Sequence, residues 1–538
     1  MFHQLLTPVG GNLLLSFIVA SLPIAVVLVL LGVLRRPAWQ ASAAGVVAGL
    51  IIAVAVWKTP AALALNSVAA GAVFALWPIM WIVVNALVLY NVAVLSGRFE
   101  AFRRWMVDHL PNDRRVVLIV IGFCFGALLE GVAGFGTPIA ITSALLISLG
   151  FSALDAVAMT LIFDTAPVAF GALGVPVTTL GQVTGLHDTT LGAMIGRQLP
   201  FMALLLPFYV MGVYGGWRSL KATWPVLLVA GGSFALTQFV TSNFISYTLT
   251  DVLSSLLSLL ATVAFLKVWR PAPDPAYAIA QPAAAAAAPS ANLEKLPSVW
   301  QGWLPWVAVT LAVIVWTVLN VAPIGQVKLP WPGLDKAVFI TLYNKPYAAV
   351  WTFQPLATGT AILVAAVVTA LLVRVGLKGW LEAVRLTWVQ ARLAILTVML
   401  IIGLAYLMNY SGLAYTLGLG VSRAGALFPL LSAFLGWLAV FLSGSDTSGN
   451  ALFGNLQVAA ARQLNLNPVL IAATNSSGGV MGKMISPQNI STGCATTELK
   501  GKEGLVLART FKHSVILTLI LGLIVLLQQY VFPGIIPR

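Results

Sequence analysis

Charged residues are scarce in this chain. Only 8% of its 538 residues are Asp, Glu, Lys or Arg, and the mean hydropathy is +0.97. Such a composition excludes an ordinary soluble protein of several domains. Apolar runs of roughly twenty residues recur instead, each long enough to cross a hydrocarbon core of about 30 Å. Clear examples are 12–34, 39–57, 193–214, 303–321, 354–373 and 514–531. The pattern predicts an all-α polytopic membrane protein.

Cysteine, histidine and catalytic motifs are also nearly absent. Cys124 and Cys494 are the only cysteines, which excludes a disulfide framework and a cysteine metal site. The four histidines are scattered at predicted segment ends. The sequence contains no HExxH, GxSxG or P-loop lysine motif. We therefore expect no cofactor, no bound metal and no enzymatic activity.

The basic residues are concentrated in the short loops between the predicted spans. The formal net charge is +14, but the basic residues lie in short loops rather than in one nucleic-acid-binding patch. Their distribution fits the rule that cytoplasmic loops are rich in Lys and Arg. If Arg35 and Arg36 are cytoplasmic, the N-terminus is periplasmic or extracellular. The expected partner is the lipid bilayer, and no nucleic acid is expected.

A low-complexity linker divides the chain into two halves. Residues 271–299 are rich in proline and alanine and carry no apolar face to bury. They separate a first membrane half, 1–270, from a second, 300–538. Three features recur in the second half at a displacement of 315 residues: Ser96-Gly97 and Gly134 match Ser411-Gly412 and Gly449. This spacing indicates an internal repeat.

Each half is predicted to contain a helical hairpin. Residues 116–150 hold one charge, Glu130, and are too many for one straight span at 1.5 Å per residue. Glycines at 131, 134 and 136 allow a tight tip, so a re-entrant hairpin fits better. A similar unit occupies 424–464 with its tip at 443–450, although its longer arms also allow two full crossings. The predicted bases lie on opposite sides of the membrane, as in inverted-topology carriers.

An interrupted helix is predicted after each hairpin. The first, 154–177, is broken near Asp164–Pro167, and the second, 468–487, is broken at 475–479. Unwound backbone at membrane depth must face protein or a water-filled cavity, and free N–H groups at helix starts favour anions. We expect these elements to bind a small, anionic, hydroxyl-bearing solute. The candidate binding residues are Gly134, Gly136, Thr137, Thr165, Ser445, Thr447, Ser448, Asn450, Asn475, Ser476 and Ser477.

Ionisable residues inside apolar segments are functional candidates because they are costly there. Glu130 and Asp446 lie at the two hairpin tips, and Asp164 lies in a broken helix. Desolvation disfavours a charged carboxyl, so these three are the candidates for proton coupling. Lys483 is the candidate charge partner of a carboxylate or of the substrate. Asp251 is also intramembrane, but the sequence identifies no partner for it.

Three long motifs resemble the L-lactate permease family of bacterial carriers. They are Gly126-Ala-Leu-Leu-Glu-Gly-Val-Ala-Gly-Phe-Gly-Thr-Pro-Ile-Ala140, Ser443-Gly-Ser-Asp-Thr-Ser-Gly-Asn450 with Leu-Phe-Gly-Asn-Leu-Gln after it, and Ala473-Thr-Asn-Ser-Ser-Gly-Gly-Val-Met-Gly-Lys-Met-Ile-Ser-Pro-Gln-Asn-Ile490. The resemblance covers nearly the whole chain. More distantly, the chain resembles ion-transporter carriers that move a hairpin-bearing domain against a scaffold.

The resemblance implies proton-coupled uptake of L-lactate, with D-lactate and glycolate as related substrates, across the bacterial inner membrane. From the residues alone, only a carrier for a small anion is predicted, with twelve to fourteen spanning or re-entrant elements. Sodium coupling, an anion channel and a membrane-embedded enzyme stay open as alternatives. The sequence does not indicate an oligomeric state.

Overall fold

The computed structural model describes residues 1–30, 34, 36–132, 137–279, 298–495, 497–499 and 502–537. Within these ranges the chain is mainly helical, and eight helical segments are long and apolar enough to cross a membrane. The prediction of an all-α polytopic membrane protein is confirmed. The numbers of crossings and of re-entrant elements remain predictions.

The first half begins with a short strand and continues with helices up to the start of the linker. Strand β1 is Phe2–His3. The helices are α1 Leu13–Leu28, α2 Ala38–Ala55, α3 Ala61–Phe74, α4 Trp81–Leu95, α5 Arg98–Asp108, α6 Arg114–Val117, α7 Gly126–Val132, α8 Thr137–Ser148, α9 Ala153–Phe163, α10 Gly171–Thr184, α11 Asp188–Ile195, α12 Leu199–Val240 and α13 Thr250–Val268. A π-helix, Ala75–Met80, joins α3 to α4, and another, Leu118–Phe125, joins α6 to α7.

The second half begins with one helix and then forms two small sheets before the remaining helices. The strands are β2 Val327–Pro330, β3 Val338–Ile340, β4 Lys345–Pro346 and β5 Val350–Phe353. The helices are α14 Leu304–Val318, α15 Thr358–Leu372, α16 Leu377–Ser411, α17 Leu413–Val421, α18 Phe428–Ser443, α19 Asp446–Gln463, α20 Pro468–Lys483, α21 Pro487–Ala495 and α22 Glu503–Tyr530. Strand β1 pairs in parallel with β3, and β2 pairs with β5.

Helix α12 is a pair of antiparallel arms. Its 42 residues would extend about 63 Å if straight, twice a hydrocarbon core. The chain turns at Gly216, whose φ of +66° and ψ of −169° are readily available only to glycine. A Cβ placed on Gly231 would lie 2.9 Å from the backbone oxygen of Leu204, so the two arms contact each other closely. The basic residues Arg218 and Lys221 follow this turn.

The helices form two bundles, and each bundle takes elements from both halves of the sequence. The first bundle contains α1–α5 and α14–α17, with α16 packed on α2, α3 and α4. The second contains α6–α13 and α18–α22, with α20 packed on α11, α18, α19 and α22. Helices α10 and α19 pack together and also contact the first bundle through α4, α16 and α17. They therefore lie at the interface between the bundles.

The polar interruptions are shorter than predicted. In the second hairpin only Gly444 and Ser445 separate α18 from α19, so 446–450 form the first turns of a helix. In the first hairpin α8 begins at Thr137, and Gly134 and Gly136 lie outside the described residues. Helix α9 and the segment Val168–Thr184 meet at a bend of 62°, across Asp164–Pro167.

The predicted break at 475–479 is wrong. These residues lie inside the continuous helix α20, and the chain leaves this helix at 484–486, before α21. The glycines permit close packing: a Cβ on Gly478 would lie 2.2 Å from the backbone oxygen of Ala433, and one on Gly436 would lie 2.1 Å from that of Asn475. Small residues allow membrane helices to approach in this way. The glycines therefore reflect contact between α18 and α20.

The beginning of the predicted linker is docked on the protein, which corrects the expectation that it has nothing to pack against. Arg114 donates a hydrogen bond of 2.7 Å to the backbone oxygen of Ala276, and Arg218 lies 3.4 Å from Asp274. The alanine-rich part, 280–297, lies outside the described residues.

Candidate substrate and proton site

Several helix ends of the second bundle surround a cavity of about 50 Å³, here named the carboxyl cavity. Its walls come from α7, from the start of α10, from the α18–α19 junction, from the end of α20 and from the start of α21. The residues are Glu130, Val168, Gly171, Ala172, Pro176, Gly444, Ser445, Asp446, Thr447, Lys483, Gln488 and Asn489. Helices α10, α19 and α21 all begin here, and the start of an α-helix carries the positive end of its dipole.

The start of α10 has unusual backbone geometry. Ala172, Leu173 and Gly174 have φ values of +44°, +57° and +80°, a left-handed conformation that costs roughly 1–2 kcal/mol for each residue with a side chain. This turn brings Gly171 against the hairpin of the first half. A Cβ on Gly171 would lie 2.9 Å from Glu130 Oε1. The absence of a side chain therefore leaves room for the carboxyl group.

Lys483 joins two of the predicted proton-coupling residues. Its Nζ donates a hydrogen bond of 2.7 Å to Glu130 Oε1 and forms an ion pair of 2.9 Å with Asp164 Oδ2. All three side chains are at most 5% exposed. The predicted charge partner, at the end of α20, thus connects α7 with the bend that follows α9.

Asp446 lies at the first turn of α19, where Ser445 caps the helix. Its Oδ2 accepts a hydrogen bond of 2.5 Å from Ser476 Oγ and one of 3.3 Å from Asn450 Nδ2. Among the described residues its Oδ1 has no hydrogen-bond partner, and it lies beside Gly479, where an added Cβ would approach to 2.5 Å. This carboxyl is 3% exposed and borders the carboxyl cavity.

Side-chain amides continue from Asp446 into the bundle. Asn475 Nδ2 donates to Asn450 Oδ1 at 2.9 Å, and Asn475 Oδ1 accepts from Gln457 Nε2 at 2.8 Å. Asn450 Nδ2 also donates to the backbone oxygen of Pro176 at 3.1 Å, which ties α19 to α10. Buried polar networks of this kind fix one arrangement of their helices because each broken bond leaves an unsatisfied group.

The structure separates the predicted binding residues into groups. Ser445 and Thr447 border the carboxyl cavity, whereas Asn450, Asn475 and Ser476 belong to the Asp446 network. Ser448 donates its N–H to the Ser445 cap but is not in the cavity wall. The hydroxyl of Thr165 bonds the backbone oxygen of Ile162, and Ser477 is buried away from the cavity. Thr137 starts α8, and its side chain is not described.

Several polar residues near this site were not identified from the sequence. Gln488 and Asn489 border the cavity, and Gln457 completes the amide network. The first two directly follow Pro487, and a helix beginning at that proline would have been the signal for them. Asp251 is 1% exposed, and neither of its carboxyl oxygens has a hydrogen-bond partner among the described residues. It packs against Gly131, next to Glu130.

Acidic groups outnumber basic groups around the cavity. Glu130, Asp164, Asp251 and Asp446 lie within electrostatic reach of Lys483, which is the only cation that these described contacts supply. Four ionised carboxylates would leave three uncompensated negative charges among buried side chains. Burying unpaired charge costs several kcal/mol per ion. Protons on some of these carboxyls would lower that cost.

Long apolar helices around a buried polar site define a polytopic membrane transporter. The sequence profile of the L-lactate permease family matches residues 16–532, and the chain belongs to this family. It is 43% identical to glycolate permease GlcA of Escherichia coli strain K12, over 99% of this chain and 98% of that protein. It is 41% identical to an L-lactate permease of Salmonella typhimurium, over 98% of each chain. The expectations of transport and of no enzymatic activity are confirmed by this membership.

Among solved structures, the chain resembles the YdaH transporter of Alcanivorax borkumensis with a TM-score of 0.43 and 15% identity. The match covers 83% of this chain and 84% of that one. A similarity this low carries no argument about the present site.

Proposed function

We propose that this protein imports L-lactate, D-lactate, glycolate and related 2-hydroxymonocarboxylates together with protons across the bacterial inner membrane. The names of the relatives support the substrate class, since proteins at 41–43% identity are named as L-lactate and glycolate permeases. Such acids combine one carboxylate with one neighbouring hydroxyl. The carboxyl cavity offers helix N-termini for the former and hydroxyl and amide groups for the latter.

The excess of buried carboxyls over Lys483 is the observation that supports proton coupling. A substrate anion entering beside Glu130 and Asp446 would meet like charge in a medium of low effective dielectric constant, where repulsion over a few ångströms is severe. Protons on some of these carboxyls would remove that repulsion. Loading of the anion would therefore require loading of a proton, which is the definition of symport.

Substrate would bind between the α18–α19 junction and the starts of α10 and α21. The first turn of α19 borders this space, where Thr447 can donate to a carboxylate. Asn489 already donates to the backbone oxygen of Gly444 at 2.9 Å, and its Oδ1 can accept from a hydroxyl. A cavity of about 50 Å³ holds a few water molecules. The hairpin tips must therefore separate before a 2-hydroxy acid can fit.

The proposed orientation places the N-terminus outside the cytoplasm. Arg114 and Arg218 lie together with the start of the linker, on the side where the basic loops are concentrated. The N-terminal strand β1 belongs to the opposite set of loops, because it pairs with β3, where His3 lies opposite Phe339. Under the positive-inside rule the first group is cytoplasmic.

The two halves would then be inverted repeats. Gly97 and Gly412, which are 315 residues apart, support this because both have positive φ just after a helix.

The proposal is tested with purified protein in proteoliposomes. Uptake of labelled L-lactate is measured with an inward proton gradient, without a gradient, and with sodium replaced by potassium at fixed pH. We expect the proton gradient to stimulate uptake and the cation exchange to have no effect. Stimulation by sodium alone would establish the sodium-coupled alternative, and uptake without saturation or counterflow would establish a channel.

A further inference from the structure

A second and larger cavity lies at the interface between the two bundles. Its volume is about 540 Å³, within the range of small-molecule binding sites. We name it the vestibule. One wall comes from α3, α16 and α17 of the first bundle, and the other comes from α10 and α19 of the second. The segment containing β4 and β5 covers it, so the vestibule lies on the side of β1.

The vestibule and the carboxyl cavity lie at opposite ends of the same two helices. Helix α10 contributes Pro176 to the carboxyl cavity and Gly181 to the vestibule, and α19 contributes Asp446 and Asn455 in the same way. Asp446 and Asn455 are separated by nine residues, which corresponds to about 13 Å along a helix. The Asn450–Asn475 contact lies between them. A solute in the vestibule is thus one short polar segment away from the proposed binding site.

Positive charge predominates among the described residues of the vestibule wall. The guanidinium of Arg462 lies 4.6 Å from the centre of the Tyr343 ring, and Lys345 Nζ lies 5.9 Å from the same centre. His187 adds a third basic side chain. The acidic wall residue is Asp188, and both its oxygens are already used: Tyr247 Oη donates to one at 2.7 Å and the N–H of Thr189 to the other at 2.8 Å.

The floor of the vestibule carries polar groups that face the cations. Asn455 Nδ2 donates to Asn409 Oδ1 at 2.9 Å, and Asn409 Nδ2 donates to the backbone oxygen of Val183 at 3.3 Å. The phenol of Tyr343 is a polar partner of Arg462, whose guanidinium lies over its ring. A guanidinium, an ammonium and a phenol hydroxyl around one open space match the groups of a small hydroxycarboxylate.

We propose that the vestibule is a second binding site for a small hydroxycarboxylate anion, in which Arg462 pairs with the carboxylate before the anion moves to the carboxyl cavity. This inference rests on the proposed transport of such anions. Arg462 is specified because it projects from α19, the helix whose other end holds Asp446 and the Ser445 cap. The vestibule would raise the local anion concentration above a site whose own carboxyls repel anions.

The test compares uptake from the two membrane faces. Right-side-out and inverted vesicles containing Arg462→Gln, Arg462→Lys or the wild-type protein are assayed with labelled L-lactate at constant proton gradient. Arg423→Gln is the matched control, since Arg423 is an exposed arginine outside the vestibule wall. We expect Arg462→Gln to raise KM in right-side-out vesicles by about tenfold or more, the usual effect of losing a charge-assisted hydrogen bond. The maximal rate should stay within about twofold, because the chemistry of the carboxyl cavity is intact.

Three further results separate this role from a structural one. Arg462→Lys should recover most of the affinity, KM in inverted vesicles should not change, and the wild-type KM should rise with added KCl because salt screens the attraction. An unchanged KM in Arg462→Gln, or a fall in maximal rate alone, overturns the vestibule site while leaving the transport proposal standing. If Arg462→Gln does not insert, a wild-type KM independent of KCl overturns it. Absence of wild-type lactate uptake overturns the transport proposal itself.

Discussion

Lys483→Met tests whether one lysine holds the carboxyl cavity together. The substitution keeps a long, unbranched side chain but removes the ammonium that contacts Glu130 at 2.7 Å and Asp164 at 2.9 Å. Removing one member of a buried ion pair costs about 3–5 kcal/mol, because the remaining charge is left unpaired. Here two carboxylates would be left. We expect the loss of stability to lie in the upper part of that range. The loss would be smaller if a proton binds one of the two carboxylates.

A compensated variant separates stability from transport. In Lys483→Met/Glu130→Gln/Asp164→Asn the cavity has neither the ammonium nor the two carboxylates that face it, and most of the lost stability should return. Transport should not return, because the proposed proton-binding groups are missing. A matched control is Glu382→Gln, which removes an exposed carboxylate from a surface pair with Arg385. Exposed pairs of this kind contribute about 0–1 kcal/mol.

The assay combines thermal unfolding of detergent-purified protein, followed by tryptophan fluorescence, with lactate uptake in proteoliposomes. Lys483→Met should unfold at a clearly lower temperature than Glu382→Gln and should not transport. The reasoning is refuted if Lys483→Met is as stable as the wild type and active. It is also refuted if the triple variant restores proton-coupled uptake.

The other substitutions address single contacts. Asp446→Asn should keep its place beside Ser476 but abolish proton-stimulated uptake while membrane insertion, measured by fractionation, stays normal. Gly478→Ala should lower the yield of folded protein, measured by gel filtration, because its Cβ would lie 2.2 Å from a backbone oxygen; Gly504→Ala, which meets nothing within 4 Å, should not. Gly171→Ala should displace the Glu130 carboxyl and reduce the maximal uptake rate several-fold, since misplacing a functional group costs activity.

Composition was sufficient to predict the class of fold, but not the details of helix packing. The apolar runs required membrane helices, and the positive φ at Gly216 agrees with the predicted end of a span near 214. The glycine-rich stretch at 475–479 was misread because glycine allows both helix breaks and close helix contact. Only the position of α18, with its own Gly436 facing α20, decides between the two. That information is tertiary and is absent from a local pattern.

The candidate site was predicted in part for a simple physical reason. A buried charge in a membrane protein requires a counter-charge, so Glu130, Asp164 and Lys483 could be singled out before their contacts were known. Their distances depend on how the ends of α7, α9 and α20 meet, which no local pattern specifies. The vestibule was not predicted at all. Arg462 lies in the last turn of α19, and its environment is created by Tyr343 in a distant loop.

The distribution of the two sites between the bundles limits how the proposed transport cycle can work. Every described residue around the carboxyl cavity belongs to the second bundle, so the Asp446 network and the Lys483 ion pairs can persist when that bundle moves as a unit. The vestibule is shared, and the bond of 2.9 Å between Asn455 and Asn409 crosses the interface. A sliding motion of the second bundle would therefore break the Asn455–Asn409 bond and carry the loaded cavity with it. Among the described residues, the Asn409–Val183 bond also crosses this interface and would break in such a motion, whereas the Asp446 network, which we propose binds substrate and proton, lies within the second bundle.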